Sequence, residues 1–224
     1  MRLPKISVYN TNIDKEIVEL QSYDYARRFY NLGREKDKNK FIHTIETLIR
    51  GSMEYKDEFI PYLKNGMRMD HCSFFPKISR KYGKVRLRTE IHHEPFTLYD
   101  IVAIVLNKRT DNDESLDMFD ICDEVMQLHF SGKVGLIPLS QTAHELVHTG
   151  KLFIPLQFID IGFNDFFNEY KETIKGMDGL VEMLEAKVNL SKEYQKDKEK
   201  FVSILKKKFI YVVEKNKTDY NNIE

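Results

Sequence analysis

The chain has 224 residues, of which 42% are hydrophobic and 31% charged, and its 35 basic and 35 acidic side chains give a formal net charge of zero. That balance supports a real core and excludes wholesale disorder, and it excludes whole-molecule steering toward nucleic acid, so any nucleic-acid surface has to be a local patch. The two cysteines, Cys72 and Cys122, cannot build a four-cysteine zinc site; MRLPKISVYN lacks the apolar run of a signal peptide, and no stretch approaches the ~18 apolar residues of a membrane helix, so the expectation is a cytoplasmic protein with free thiols and no membrane partner.

Residues 12–65 are expected to be mostly helical, with Phe41, Ile45, Leu48 and Ile49 at helical spacing and Gly51 and Gly66 as punctuation. The period then changes. Val85, Leu87, Thr89 and Ile91 alternate with Lys84, Arg86, Arg88, Glu90 and His92, which is the pattern of a strand. Thr97 followed by Asp100 predicts a capped helix start, with Leu98, Ile101, Val102 and Val105 as its apolar stripe and a polar break from Lys108 to Glu114. A second helix is expected to carry Phe119, Cys122, Val125, Met126 and His129 on one stripe. Val134–Leu139 reads as a strand, Ser140 as the N-cap of a helix over Gln141–His148, and Gly150 as its end. Beyond it the chain is expected to be helical again. Phe201, Ile204, Leu205, Phe209, Val212 and Val213 form one stripe there, with Lys206–Lys208 on its wet face.

Four of the seven histidines fall in two groups, E-I-H-H-E at 90–94 and H-E-L-V-H at 144–148. Histidines four apart on a helix lie one turn apart on one face and can grip a single metal; a third from a strand end leaves open coordination positions, which is the layout of a catalytic site. His43 and His71 need no more than an ordinary hydrogen-bond partner. H-E-L-V-H also fits the zinc-protease pattern, in which Glu145 is the base and Glu169 a downstream ligand, but that reading leaves His92 and His93 idle. His129 reads first as a core histidine bonded to a backbone carbonyl, and secondly as a residue that orients its neighbours at the site.

The stretch G-L-I-P-L-S-Q-T-A-H-E-L-V-H at 135–148 resembles the second half of HNH nucleases, in which the pattern is N-L-x-x-L-C-x-x-C-H-x-x-x-H. V-R-L-R-T-E-I-H-H resembles the strand that delivers the first histidines, and E-I-H-H-E-P-F-T-L-Y-D-I and V-G-L-I-P-L-S-Q-T-A-H-E-L-V-H look like phage-encoded members of that superfamily. Gly135 stands at the Asn position and Ser140 and Ala143 at the two Cys positions; Phe75 replaces the Cys that would partner Cys72, so no structural zinc is expected. The resemblance covers about residues 70–155. It implies a ββα-metal finger with His92, His144 and His148 as ligands of one divalent metal (Zn, Ni, Mn or Mg) and His93 as the general base that activates water toward a phosphodiester. Glu90, Glu145 and His129 are candidate supports of the ligands.

Lys77, Arg80, Lys81, Lys84, Arg86 and Arg88 occur with no acid among them. On a regular strand Lys84, Arg86 and Arg88 share a face with His92, which would aim cations at a phosphate and makes DNA the expected partner. A solvated strand edge is the plainer alternative. The expected fold class is α+β: a ββα-metal core at 69–155, with a helical insertion at about 97–131, between helical segments 1–68 and 156–224. The expected function is metal-dependent endonucleolytic cleavage of DNA in a bacterial host's cytoplasm. The alternatives are a zinc metalloprotease, and a non-catalytic phage structural or DNA-binding protein that retains the metal finger.

Overall fold

The computed structural model describes residues 30–79 and 88–196. The chain is α+β and mainly helical. Helix α1 (Glu35–Gly51) is followed by two π-helical segments, Glu54–Phe59 and Tyr62–Gly66, and by a small antiparallel pair, β1 (His71–Cys72) and β2 (Phe75–Ser79). Strand β3 (Thr89–His93) leads into helices α2 (Leu98–Asp111) and α3 (Met118–Phe130); the chain then returns as β4 (Leu136–Ser140) and passes directly into α4 (Gln141–His148). A 3-10 turn at Leu156–Phe158 precedes α5 (Phe163–Glu169), α6 (Lys171–Lys175) and α7 (Asp178–Lys196). No described helix is long and apolar enough to cross a membrane.

The local signals act as expected at several points. Thr97 and Asp100 form a reciprocal capping box, with the Asp100 N–H donating to Thr97 Oγ1 and the Thr97 N–H to Asp100 Oδ2. Ser140 Oγ accepts from the Ala143 N–H and starts α4, and Gly150, at φ +65°, lets the chain leave it. Two expectations shift. Helix α2 runs through Lys108 and Arg109 to Asp111 instead of breaking at Lys108. On α3 the buried stripe is Ile121, Cys122, Val125, Met126, Leu128 and His129, while Phe119 lies outside it, 38% exposed, in the first turn beside the Asp117 cap. The C-terminal stripe at 201–213 and the part of the N-terminal helical stretch before residue 30 lie outside the described residues.

Helix α2 is central. All residues from Ile101 to Leu106 are buried, as a helix enclosed on most sides requires. It packs with α1, α3 and α6, and with Phe166 of α5 these form one large core that draws on all three of the expected chain segments. A second, smaller core holds Cys72, Ile137, Leu139, Ala143, Leu152 and Ile154. The β3–β4 pair separates the two. Its register places His92 opposite Ile137 and His93 opposite Leu136. Because successive side chains point to opposite faces, Leu136 and His93 face the large core, while Ile137, Leu139 and His92 face the small one and α4.

Candidate metal centre

The alternation of β3 sets up the site. Glu90, His92 and the following Glu94 recur at period two on the α4 side of the pair. Helix α4 presents His144 and His148 one turn apart toward that side. The result is a cluster in which one ring nitrogen from each of His92, His144 and His148 lies within 4.8 Å of the other two. The His92 ring meets those of His144 and His148 edge-on, at centroid distances of 5.1 and 5.3 Å. His92 is buried, His144 half-buried and His148 exposed, so the cluster opens to solvent along the last turn of α4.

The hydrogen bonds orient the rings. His144 Nδ1 lies 2.8 Å from Glu90 Oε2. A carboxylate only accepts, so Nδ1 carries the proton and Nε2 keeps its lone pair. That lone pair faces His148 Nε2 at 3.1 Å. Two nitrogens each ~2.0–2.1 Å from a tetrahedral ion sit ~3.3 Å apart, so the observed spacing fits a shared cation. Burial, and after it the neighbouring His92, hold the His144 pKa below its ordinary value despite the pull of Glu90, which keeps the ring neutral and able to ligate at neutral pH. Arg88 in turn pairs with Glu90 through the other oxygen, at 3.1 Å. Arg88, Glu90 and His144 therefore form a chain that ends at the cluster. A carboxylate that fixes a ligating imidazole's tautomer in this way is a common support of metal sites.

His93 does not join the cluster. It is buried on the opposite face, with Nε2 2.8 Å from His129 Nε2. The His129 Nδ1 lies 2.6 Å from the Val125 carbonyl, so it must donate there. His129 Nε2 is then the acceptor, and the proton between the rings sits on His93 Nε2. Burial, followed by the proximity of His129, pushes the His93 pKa well down, and burial brings that of His129 to about 4. The Tyr55 and Phe59 rings close over His129 edge-on. The expected general base is thus a neutral core imidazole whose Nε2 is occupied as a donor. His129 combines its two expected roles: it bonds to a backbone carbonyl and it holds its neighbour, but that neighbour is His93 rather than a ligand.

The remaining expected residues are placed as follows. Glu145 is exposed and accepts from Gln141 on its own helix, 3.2 Å away. Glu169, the acid a zinc protease would need as a ligand, pairs instead with Lys133 at 2.6 Å and lies 4.0 Å from Lys108. Cys72 and Cys122 are buried in different cores and are not paired. His43 pairs with Glu46, and His71 with the Arg68 carbonyl. Lys84 and Arg86 lie outside the described residues.

Gly135 is not simply a lost Asn. The Glu94 N–H donates to its carbonyl at 3.0 Å, and a Cβ at this position would lie 1.9 Å from the Glu94 carbonyl oxygen. Backbone approaches backbone here so closely that only glycine fits. Two residues escaped the sequence reading. Glu94 is buried, with Oε2 3.6 Å from His92 Nε2, and its Oε1 is paired with Lys187 of α7. The period-two spacing of Glu90, His92 and Glu94 could have flagged the first; nothing local flags Lys187.

Over residues 4–219 the chain matches the family described as Bacteriophage G278-like virion protein, and it belongs to that family. No curated protein and no solved structure matches it. This membership overturns the expected DNA endonuclease: a family of virion proteins points to a structural role in the particle. The burial of His93 is a separate reason against phosphodiester hydrolysis by the expected route.

Proposed function

Since the chain belongs to a family of phage virion proteins, we propose that it is a non-catalytic structural component of the particle, in which His92, His144 and His148 hold one divalent transition metal. The observation that carries this reading is the convergence of three imidazoles from a strand and the following helix, with the would-be base turned into the core. The order of two antiparallel strands followed by a helix that carries an i, i+4 histidine pair resembles an HNH finger kept as a staple after its chemistry was lost. Neutral imidazoles suit Zn, Ni or Cu better than Mg, which prefers oxygen.

Such a metal would tie β3 to α4. The small core beside them is limited to six buried residues among those described, so the cross-link adds stability where the buried core is small. The test is elemental analysis of the full-length protein, wild type and His144→Ala/His148→Ala, with plasmid nicking assayed on the same samples. The reading expects one equivalent of metal in wild type, none in the variant, and no nicking by either. Metal-dependent nicking by wild type, or equal metal in both proteins, would overturn it.

A further inference from the structure

Three neutral histidines leave a bound dication's full charge in place, and one side of this centre is buried. The nearest buried anion is Glu94. It lies on the same face as His92, it is 4% exposed, and its two oxygens have different surroundings: Oε1 pairs with Lys187, while Oε2 lies 3.6 Å from His92 Nε2. That spacing is close to the ~3.3 Å between neighbouring nitrogen or oxygen ligands of a four-coordinate ion. The backbone at Glu94 is pinned by its hydrogen bond to Gly135. The group of ring nitrogens within 4.8 Å of one another is formed by the three histidines without Glu94, so ligation requires its carboxylate to swing toward His144 and His148.

We propose that Glu94 is the fourth ligand of this centre, bound through Oε2 while Lys187 retains Oε1. The inference rests on the metal reading above. It turns an open three-histidine site into a closed one, as a structural role requires, and it links the metal through Lys187 to helix α7. One negative ligand also offsets part of the dication's charge where water cannot.

The test is a Co²⁺ titration of the full chain, followed by visible absorption. Wild type should give the intense bands of four-coordinate cobalt. Glu94→Gln should bind at least ~10-fold more weakly, with weaker, shifted bands as water replaces the carboxylate. Lys187→Ala should bind at least as tightly as wild type, because it frees the carboxylate. The double variant Glu94→Gln/Lys187→Met leaves no buried unpaired charge; it should show the same loss as Glu94→Gln and keeps the test readable if the single variant folds poorly. Wild-type bands and affinity in both Glu94 variants would overturn the proposal while leaving the three-histidine centre standing. Equal weakening by Glu94→Gln and Lys187→Ala would likewise reduce the pair to a folding contact. If wild type binds no Co²⁺ and His144→Ala does not differ from it, the metal reading itself fails, and this inference with it.

Discussion

Replacing Gly135 by alanine should damage the fold far more than a change of one methyl group suggests. The new Cβ would stand 1.9 Å from the Glu94 carbonyl oxygen and 2.9 Å from Phe163 Cβ. An ordinary C···O contact is ~3.3–3.6 Å, so the Glu94 carbonyl would have to retreat by more than ~1 Å. It has little room to do so, because the Glu94 N–H is bonded to the Gly135 carbonyl and the preceding residue, His93, is paired with Leu136. Overpacking costs ~1–3 kcal/mol and the loss of the ladder bond ~1 more, for a total of about 3 kcal/mol. In a chain of this size that lowers Tm by ~6–12 °C. Equilibrium denaturation and thermal melting of metal-free protein measure it directly. Gly135→Asn should be at least as damaging, and it should not confer nicking. A Gly135→Ala protein within ~0.5 kcal/mol of wild type would refute the close-approach argument.

Other expectations follow from the same geometry. His93→Ala should leave the metal stoichiometry unchanged and cost about 2–4 kcal/mol of stability, since it opens a buried cavity and strands His129 Nε2 without its donor; lost metal with an intact fold would contradict the two-face arrangement. Glu90→Gln should lower metal affinity ~10–100-fold through the loose His144 ring, with binding measured by chelator competition. The His129 pKa is depressed to about 4 in the fold against an ordinary 6.5, so the unfolded chain takes up protons first. The stability this neutral ring contributes is full above ~6.5 and is lost as pH falls toward 4, by about 3 kcal/mol. His129→Gln should flatten that part of the pH–stability curve, and an unchanged slope would exclude His129 as its source. Burial pushes the Cys122 thiol up to about 12, so it should resist a thiol reagent at pH 8 until the protein unfolds; fast native labelling would contradict its burial.

The pieces of the site that depend on short-range chemistry were legible in the sequence. The spacing of His144 and His148, the Ser140 cap, the Gly150 exit and the Thr97–Asp100 box each follow from interactions within a few residues, and each is where the pattern puts it. The role of His93 was not legible through resemblance, because its partner His129 arrives from a helix 36 residues away. The strand pattern nevertheless carried a warning: adjacent residues on a regular strand face opposite ways, which places His92 and His93 on different faces. Gly135 was misread because a motif comparison sees a missing Asn, whereas the physical constraint is a carbonyl oxygen in the space a side chain would occupy. The phase of α3 was misjudged at Phe119 because the first turn beside a cap is held by Asp117 rather than by burial. The nuclease expectation joined a resemblance to the histidine spacing and a basic run, none of which specifies the reaction, and membership of a virion-protein family corrects it.

The central claim is that the His92–His144–His148 cluster binds a metal that stabilises the fold. It is tested most directly by thermal unfolding of full-length protein with excess Zn²⁺ and with chelator, in wild type and in His144→Ala/His148→Ala. At free zinc ~100-fold above its dissociation constant, a site that binds only the folded chain adds ~2.7 kcal/mol. That corresponds to a rise of ~5–11 °C in Tm for wild type, and none is expected in the variant. Equal melting of wild type with zinc and with chelator would contradict the account.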